Sequence, residues 1–403
     1  MKSIFSLFFT AFSSLLCAQT SHILTQGSDY QNDVFFSLEN GVVSEVPGTN
    51  WDLAFDVTNP FSASIRINDG HGRAAVVYPN GDLEAWNAVD TTGFEGWSRL
   101  TNGITAWENG ALNSNANGDP FDFSWGIYTG PPLHQVVGDS IYLIEGPDAA
   151  VTKLRIDNLD NGTWNFTHAD LDGSNEVSVS IDMADYAGKN FVYYNFSGEV
   201  LNREPLTTEW DFVLTRYVGP TAYGMFPTTG VLLNKERAAA AVPDTPVEWA
   251  DMEIANWTTE DISVIGNGWK SLVNFQWEVV DDLSFFVSNV EGETYQIWFT
   301  LFEGSSSGIT ELQVADVVSA GFQENAPSTS PRIYPNPVLE GMVNLNNAEG
   351  YTWADVYDAQ GRHLANINLM TSLKWNASGL PTGTYVMVLR NELESHPVTF
   401  VKP

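Results

Sequence analysis

Histidine is the residue type best placed to do chemistry in this chain, and three of its six fall in one stretch. His71 sits in the turn "NDGHGR", His134 follows "TGPPL", and His168 ends "NGTWNFTH". His22, His363 and His396 lie toward the two ends, and the stretch 190–316 has no histidine, only Met225 and Met252. The single cysteine, Cys17, lies in an apolar leader, so a metal site in the body of the chain must draw on His, Met, Asp or Glu. No G-x-S-x-G elbow, H-E-x-x-H pair or glycine-rich phosphate loop is present. Carboxylates are abundant, but the separation that makes a hydrolytic pair is a tertiary quantity. "DLDGSNE" (170–176) has the outline of a calcium loop, yet lacks a third acidic ligand before its Gly and the Glu at the twelfth position. It is expected to be a turn between strands.

The ends and the charge narrow the setting. "MKSIFSLFFTAFSSLLCAQT" places Lys2 before the apolar run Ile4–Leu16 and the small Ala18, which reads as a secretory signal peptide over 1–18. The run is too short to span a bilayer, and no later segment is long and apolar enough to do so. Leu16 is not the small residue that an acylated Cys17 would need before it. A net charge of −33, with only 17 Lys and Arg, excludes nucleic acid and anionic lipid as partners and suits a soluble protein outside the cell.

The elements that must position these residues are strands. In "TYQIWF" the alternation puts Tyr295, Ile297 and Phe299 on one face, and "VSVSID" (177–182) repeats the pattern. The fold class is therefore all-β and antiparallel. "KERAAAAV" (235–242) is the one good helix candidate, stopped by Pro243. Two long segments repeat. "FFSLENGVVSEVPGTNWDLAF" aligns with "YNFSGEVLNREPLTTEWDFVL", and "DSIYLIEGPDAAVTKLRI" (139–156) aligns with "DLSFFVSNVEGETYQIWF" (282–299). These imply two related β units, 28–189 and 190–316, each opened by a Trp-Asp strand. Alternation places Trp51, Leu53 and Phe55 on a core face, with Asp52 bonding a neighbouring turn; Trp210 and Asp211 match. Residues 317–330 read as a small-residue linker. Strand and turn signals recur over 331–403, roughly every 8–12 residues, as in a small Ig-like β-sandwich.

Two resemblances add to this. Residues 331–403 resemble the type A C-terminal sorting domain of the bacterial type IX secretion system. They carry "YPNP" (Tyr334, Pro335, Asn336, Pro337), "VYDAQGR" with Gly361, "LPTGTYVMVL" with Gly383 and Tyr385, and a terminal "FVKP". The resemblance implies export to the periplasm, recognition by the outer-membrane translocon, and a secreted or surface-attached product.

The duplicated unit resembles the HmuY-like surface heme-binding proteins of Bacteroidetes-type bacteria. The resemblance rests on "NWDLAFDVTNPFSASIRIN" ending in Asn68, on "EWDFVLTRY" with "TTGVLLN" ending in Asn234, and on the paired hairpins. It implies heme as a cofactor, with His71, His134 and His168 the candidate axial ligands and Arg66, Arg73 and Lys153 the available propionate partners. Three functions stand as expectations for a non-enzymatic or enzymatic exported cargo. The first is adhesion or binding of a glycan, small molecule or surface ligand. Heme binding is the alternative, and hydrolysis by an unseen carboxylate pair is the third.

Overall fold

The computed structural model describes residues 19–114, 116, 118–252, 255–317, 331–334, 336, 338, 341–346, 348, 350–359, 361–391 and 395–402. The signal-peptide reading (1–18), with Cys17, and linker residues 318–330 fall outside the described residues. The chain divides into two compact units, Met1–Val318 and Ser319–Pro403. Both are built of antiparallel sheets, as the alternation requires, and no described helix reaches seven residues. None is long and apolar enough to cross a membrane.

The larger unit holds two β-sandwiches. In the first, the four-stranded sheet Val200–Leu201, Phe191–Tyr194, Leu53–Asp56, Ile65–Ile67 covers a seven-stranded sheet that includes Ile141–Glu145, Val151–Asp160 and Thr163–Asp170. Leu53, Phe55, Tyr142, Leu154, Trp164, Phe166 and Tyr194 fill the space between them. In the second, the sheet Gly41–Pro47, Asn32–Ser37, Phe212–Thr221, Gly224–Leu233 covers a five-stranded sheet running from Gln19–Thr25 to Ala239–Pro243. Phe36, Phe212, Leu214, Phe285, Ile297 and Leu312 form that core. Tyr295, Ile297 and Phe299 are buried together, as their alternation predicts.

The strand pairing does not follow the expected division at 189/190. The strand Asn32–Ser37 precedes Trp51 in sequence, but it pairs with the strand after Trp210: Phe36 opposite Phe212 and Val34 opposite Leu214. Phe191–Tyr194 precedes Trp210, but it pairs with the strand after Trp51: Tyr194 opposite Leu53 and Phe191 opposite Asp56. The first sandwich is thus continuous, from Leu53 to Leu201, whereas the second is closed by the three strands within 19–47. Sequence alignment locates like segments but is blind to the phase in which the chain closes each sheet.

The helix expected at 235–242 is absent. Ala239–Pro243 is the edge strand beside Leu283–Ser288, with Ala240 opposite Phe286. Alanine's modest helix preference is overridden by burial of Ala239 and Ala240 against a sheet. "DLDGSNE" is the expected turn, in which Ser174 and Asn175 donate to the Asp170 carboxylate.

The smaller unit is a sandwich of a three-stranded and a four-stranded sheet. Val343, Val356, Met387, Leu389 and Phe400 are its fully buried centre.

Candidate functional site

The two Trp-Asp openings build two corners of the same design. Asp52 Oδ2 accepts the Phe196 N–H at 2.7 Å, and Asp211 Oδ2 accepts the Leu38 N–H at 2.8 Å. Asp52 pairs with Arg73, and Asp211 with Arg237 at 2.9 Å. Asn68 Nδ2 donates to the Trp51 carbonyl at 2.9 Å, and Asn234 Nδ2 to the Trp210 carbonyl at 2.8 Å. In each corner the Asp carboxylate and the Asn amide are tied to backbone groups, the kind of buried polar network that fixes one geometry.

The tryptophans themselves do something the alternation did not predict. Leu53 and Phe55 enter the sandwich core, but Trp51 precedes the first paired residue and turns away from it. It packs edge-on against Tyr193, 5.1 Å between centroids, in a small cluster with Ala54 and Phe191 on the outer face. Trp210 packs edge-on against Phe35 at 5.0 Å in the matching position. The outer faces of the two four-stranded sheets meet here, and Trp51, Tyr193, Trp210 and Phe35 all line one partly open cavity of about 60 Å³. The approach is close: a Cβ on Gly70 of the first sandwich would lie 2.1 Å from the Arg216 carbonyl oxygen of the second.

Polar bonds hold the seam. Asn190 Nδ2 donates to Asn234 Oδ1 at 2.7 Å, the Ile262 N–H to the Thr105 carbonyl at 3.0 Å, and Trp107 Nε1 to the Leu233 carbonyl at 2.8 Å. Lys235 reaches across to the buried Asp56 at 2.8 Å and to Glu108 at 2.9 Å. Glu204, fully buried, accepts the N–H groups of Asn190 and Phe191 at 3.1 Å each, and burial pushes its carboxyl up to about 7.

Beside this seam opens a cleft of about 530 Å³ walled by Trp107, Glu108, Lys235, Glu236, Glu260 and two threonines, Thr105 and Thr259. Trp107 is common to the cleft and the cavity, so one indole separates them. Its ring is half-buried, with the Arg66 guanidinium 5.0 Å from its centroid. None of these residues stood out in the sequence. Trp107 lies in an irregular loop, where no periodicity marks a role.

The candidate histidines are not brought together. His71 lies in the 3-10 turn Asp69–His71 at the seam, where burial lowers its pKa. His168 is buried in the first core, with Nε2 2.7 Å from the Tyr194 hydroxyl. His134 is in the loop between the strands Gly126–Tyr128 and Val136–Gly138, bonded through Nδ1 to the Tyr128 hydroxyl at 2.5 Å. The proposed propionate partners are also committed. Arg66 donates to the Gly103, Ala106 and Trp107 carbonyls, Arg73 pairs with Asp52, and Lys153 is buried with Nζ 2.8 Å from the Trp86 carbonyl.

The residues present do not fit heme. The cleft is large enough for an organic ligand but contains no His or Met, and the cavity is well below the roughly 300 Å³ at which such sites begin. Among the described residues no group of three or more His, Cys, Asp or Glu is placed to hold a metal ion.

In the smaller unit the motif residues shape turns. Asn336 donates to the Thr399 carbonyl and accepts the Val401 N–H, tying the motif to the last strand. Tyr334 belongs to the strand Arg332–Tyr334; Pro335 and Pro337 fall outside the described residues. Gly361 takes a positive φ of 77° in the turn after Trp353–Asp358. Gly383 opens the strand ending at Arg390, and Tyr385 stacks on Phe400 and donates to the Pro381 carbonyl at 2.7 Å.

No curated protein matches the chain. The family model of the secretion system C-terminal sorting domain matches residues 332–402, which indicates export by type IX secretion to the cell surface or the medium.

Proposed function

We propose that this exported chain is a non-catalytic binding protein that holds a glycan in the cleft between its two sandwiches. The observation that carries the reading is the composition of that cleft. Its volume of about 530 Å³ lies in the ligand-site range of roughly 300–1,000 Å³. An indole offers a flat apolar face to a sugar ring, while Glu108, Glu236, Glu260 and the threonine hydroxyls supply acceptors for its hydroxyls. The acidic lining selects neutral or amino sugars over uronic acids, because a fourth carboxylate brought beside these three is repelled. The likeness of the two Trp-Asp corners supports the duplication read from the sequence, with the cleft formed where the copies meet.

A glycan array probed with the full chain tests this. Binding to neutral or amino sugars is expected, reduced at least about tenfold by the Glu236→Gln, Glu260→Gln double variant. Both positions are in surface loops, so the fold is retained and thermal melting checks that it is. An array with no neutral or amino-sugar signal, or one unchanged in the double variant, overturns the reading.

A further inference from the structure

Three buried N–H groups beside this cavity have no hydrogen-bond partner among the described residues. Trp51 Nε1, Trp210 Nε1 and Arg203 Nε are shielded from solvent and hydrogen-bonded to nothing, and all three residues line the same space of about 60 Å³. Buried donors left in this state are costly, and a native fold rarely keeps several in one place without something that accepts from them. Trp51 belongs to the first sandwich and Trp210 to the second, so each sandwich contributes one indole to the lining.

The carboxylates around the cavity already have partners. Asp33 accepts from the Thr215 hydroxyl at 2.6 Å and from Arg203 Nη2 at 2.7 Å. Asp69 accepts the Asn102 N–H at 2.9 Å, and both Glu204 oxygens accept backbone N–H groups. The unmet demand is one-sided. A water molecule would satisfy two of the three donors and would bring two O–H donors of its own into a space whose carboxylates already have partners. An anion accepts from all three and brings none. Charge leans the same way: Arg66, Arg203 and Arg216 all line the space, Asp33 offsets Arg203, and burial moves Asp69 and Glu204 toward their neutral forms.

We propose that this cavity is a binding site for a small monoanion, a carboxylate or a halide, held by Trp51 Nε1, Trp210 Nε1 and Arg203 Nε and joining the two sandwiches. The space admits about four water-sized spheres, which suits formate, acetate or bromide and excludes a sugar. The site is separate from the cleft, with Trp107 between them.

Crystals of the full chain soaked in sodium bromide, measured at the bromine absorption edge, give the direct test. An anomalous peak within hydrogen-bonding reach of the three nitrogens is expected. In parallel, the melting temperature is titrated with sodium formate, acetate and bromide for the wild type and for Trp51→Phe, which loses one donor but keeps an aromatic ring. The variant is expected to need about tenfold more anion for the same rise. A response to formate and acetate alone assigns a carboxylate, and a response to all three assigns any small monoanion. Melting curves of the two proteins that shift equally with each salt, or no bromine signal together with no melting response to formate or acetate, overturns the proposal.

Discussion

Lys270 gives the sharpest test of how this fold treats a buried charge. It opens the strand Lys270–Val273 and is almost wholly buried, with Nζ 2.5 Å from the Thr229 carbonyl oxygen. Among the described residues no carboxylate is paired with it, and burial brings its pKa down from 10.5 to about 7. At 1.36 kcal/mol per pH unit, that desolvation corresponds to about 5 kcal/mol against the ammonium. The Trp269 and Phe302 ring centroids lie 4.1 and 4.9 Å from Nζ.

The sign follows from proton counting. Between about 7 and 10.5 the unfolded chain binds a proton at this residue that the folded chain tends to release, so the folded state gains stability as pH rises through this window. The penalty is full below pH 7 and gone above 10.5. Lys270→Met removes the titrating group and keeps the packing volume. Urea unfolding of the two proteins between pH 7 and pH 10 isolates the effect, because every other titration cancels in the difference. The wild type is expected to gain about 3 kcal/mol on the variant across that range. A difference between the two that stays constant with pH would falsify the account of Lys270.

Three further outcomes follow from the topology and the tail. A fragment cut at 189/190 lacks the Phe191–Tyr194 partner of Leu53–Asp56 and leaves the core without Val192 and Tyr194. It should show no cooperative melt by circular dichroism, whereas 51–206, which keeps every strand of the first sandwich, should melt cooperatively; the opposite ranking would contradict the strand pairing. Lys235→Met strands the carboxylate of Asp56, whose side chain is 1% exposed, and should cost about 2–4 kcal/mol in denaturant titration. A loss below about 0.5 kcal/mol would mean the pair is a surface contact. Removing 331–403 should leave the cargo in the periplasm, as read by fractionation, and its undiminished appearance outside the cell would separate this tail from export.

Much of the fold was legible because alternation is a local signal. The hairpins at 139–156 and 282–299, the Trp-Asp corners and the Asn68 and Asn234 endpoints all sit where the patterning put them. Trp51 was read onto the core face because alternation was extended one step too far. The paired strand begins at Leu53, and the hydrogen bond from the Phe196 N–H to Asp52 turns the chain just before it. The alanine run was misread because Ala239–Ala241 answers to a neighbouring strand rather than to its own helix preference.

By itself the sequence determined the all-β class, the two Trp-Asp corners and the export tail, since each is written in contiguous residues whose chemistry acts on near neighbours. Tertiary structure alone decided that 19–47 closes the second sandwich, and that His71, His134 and His168 part company. It also decided that Trp51 and Trp210 share one cavity, with Trp107 as the wall to the cleft outside. A strand's pattern states that it has a face to bury, but the partner that covers that face is chosen by closure of the whole sheet, and every site at the seam is a consequence of that choice.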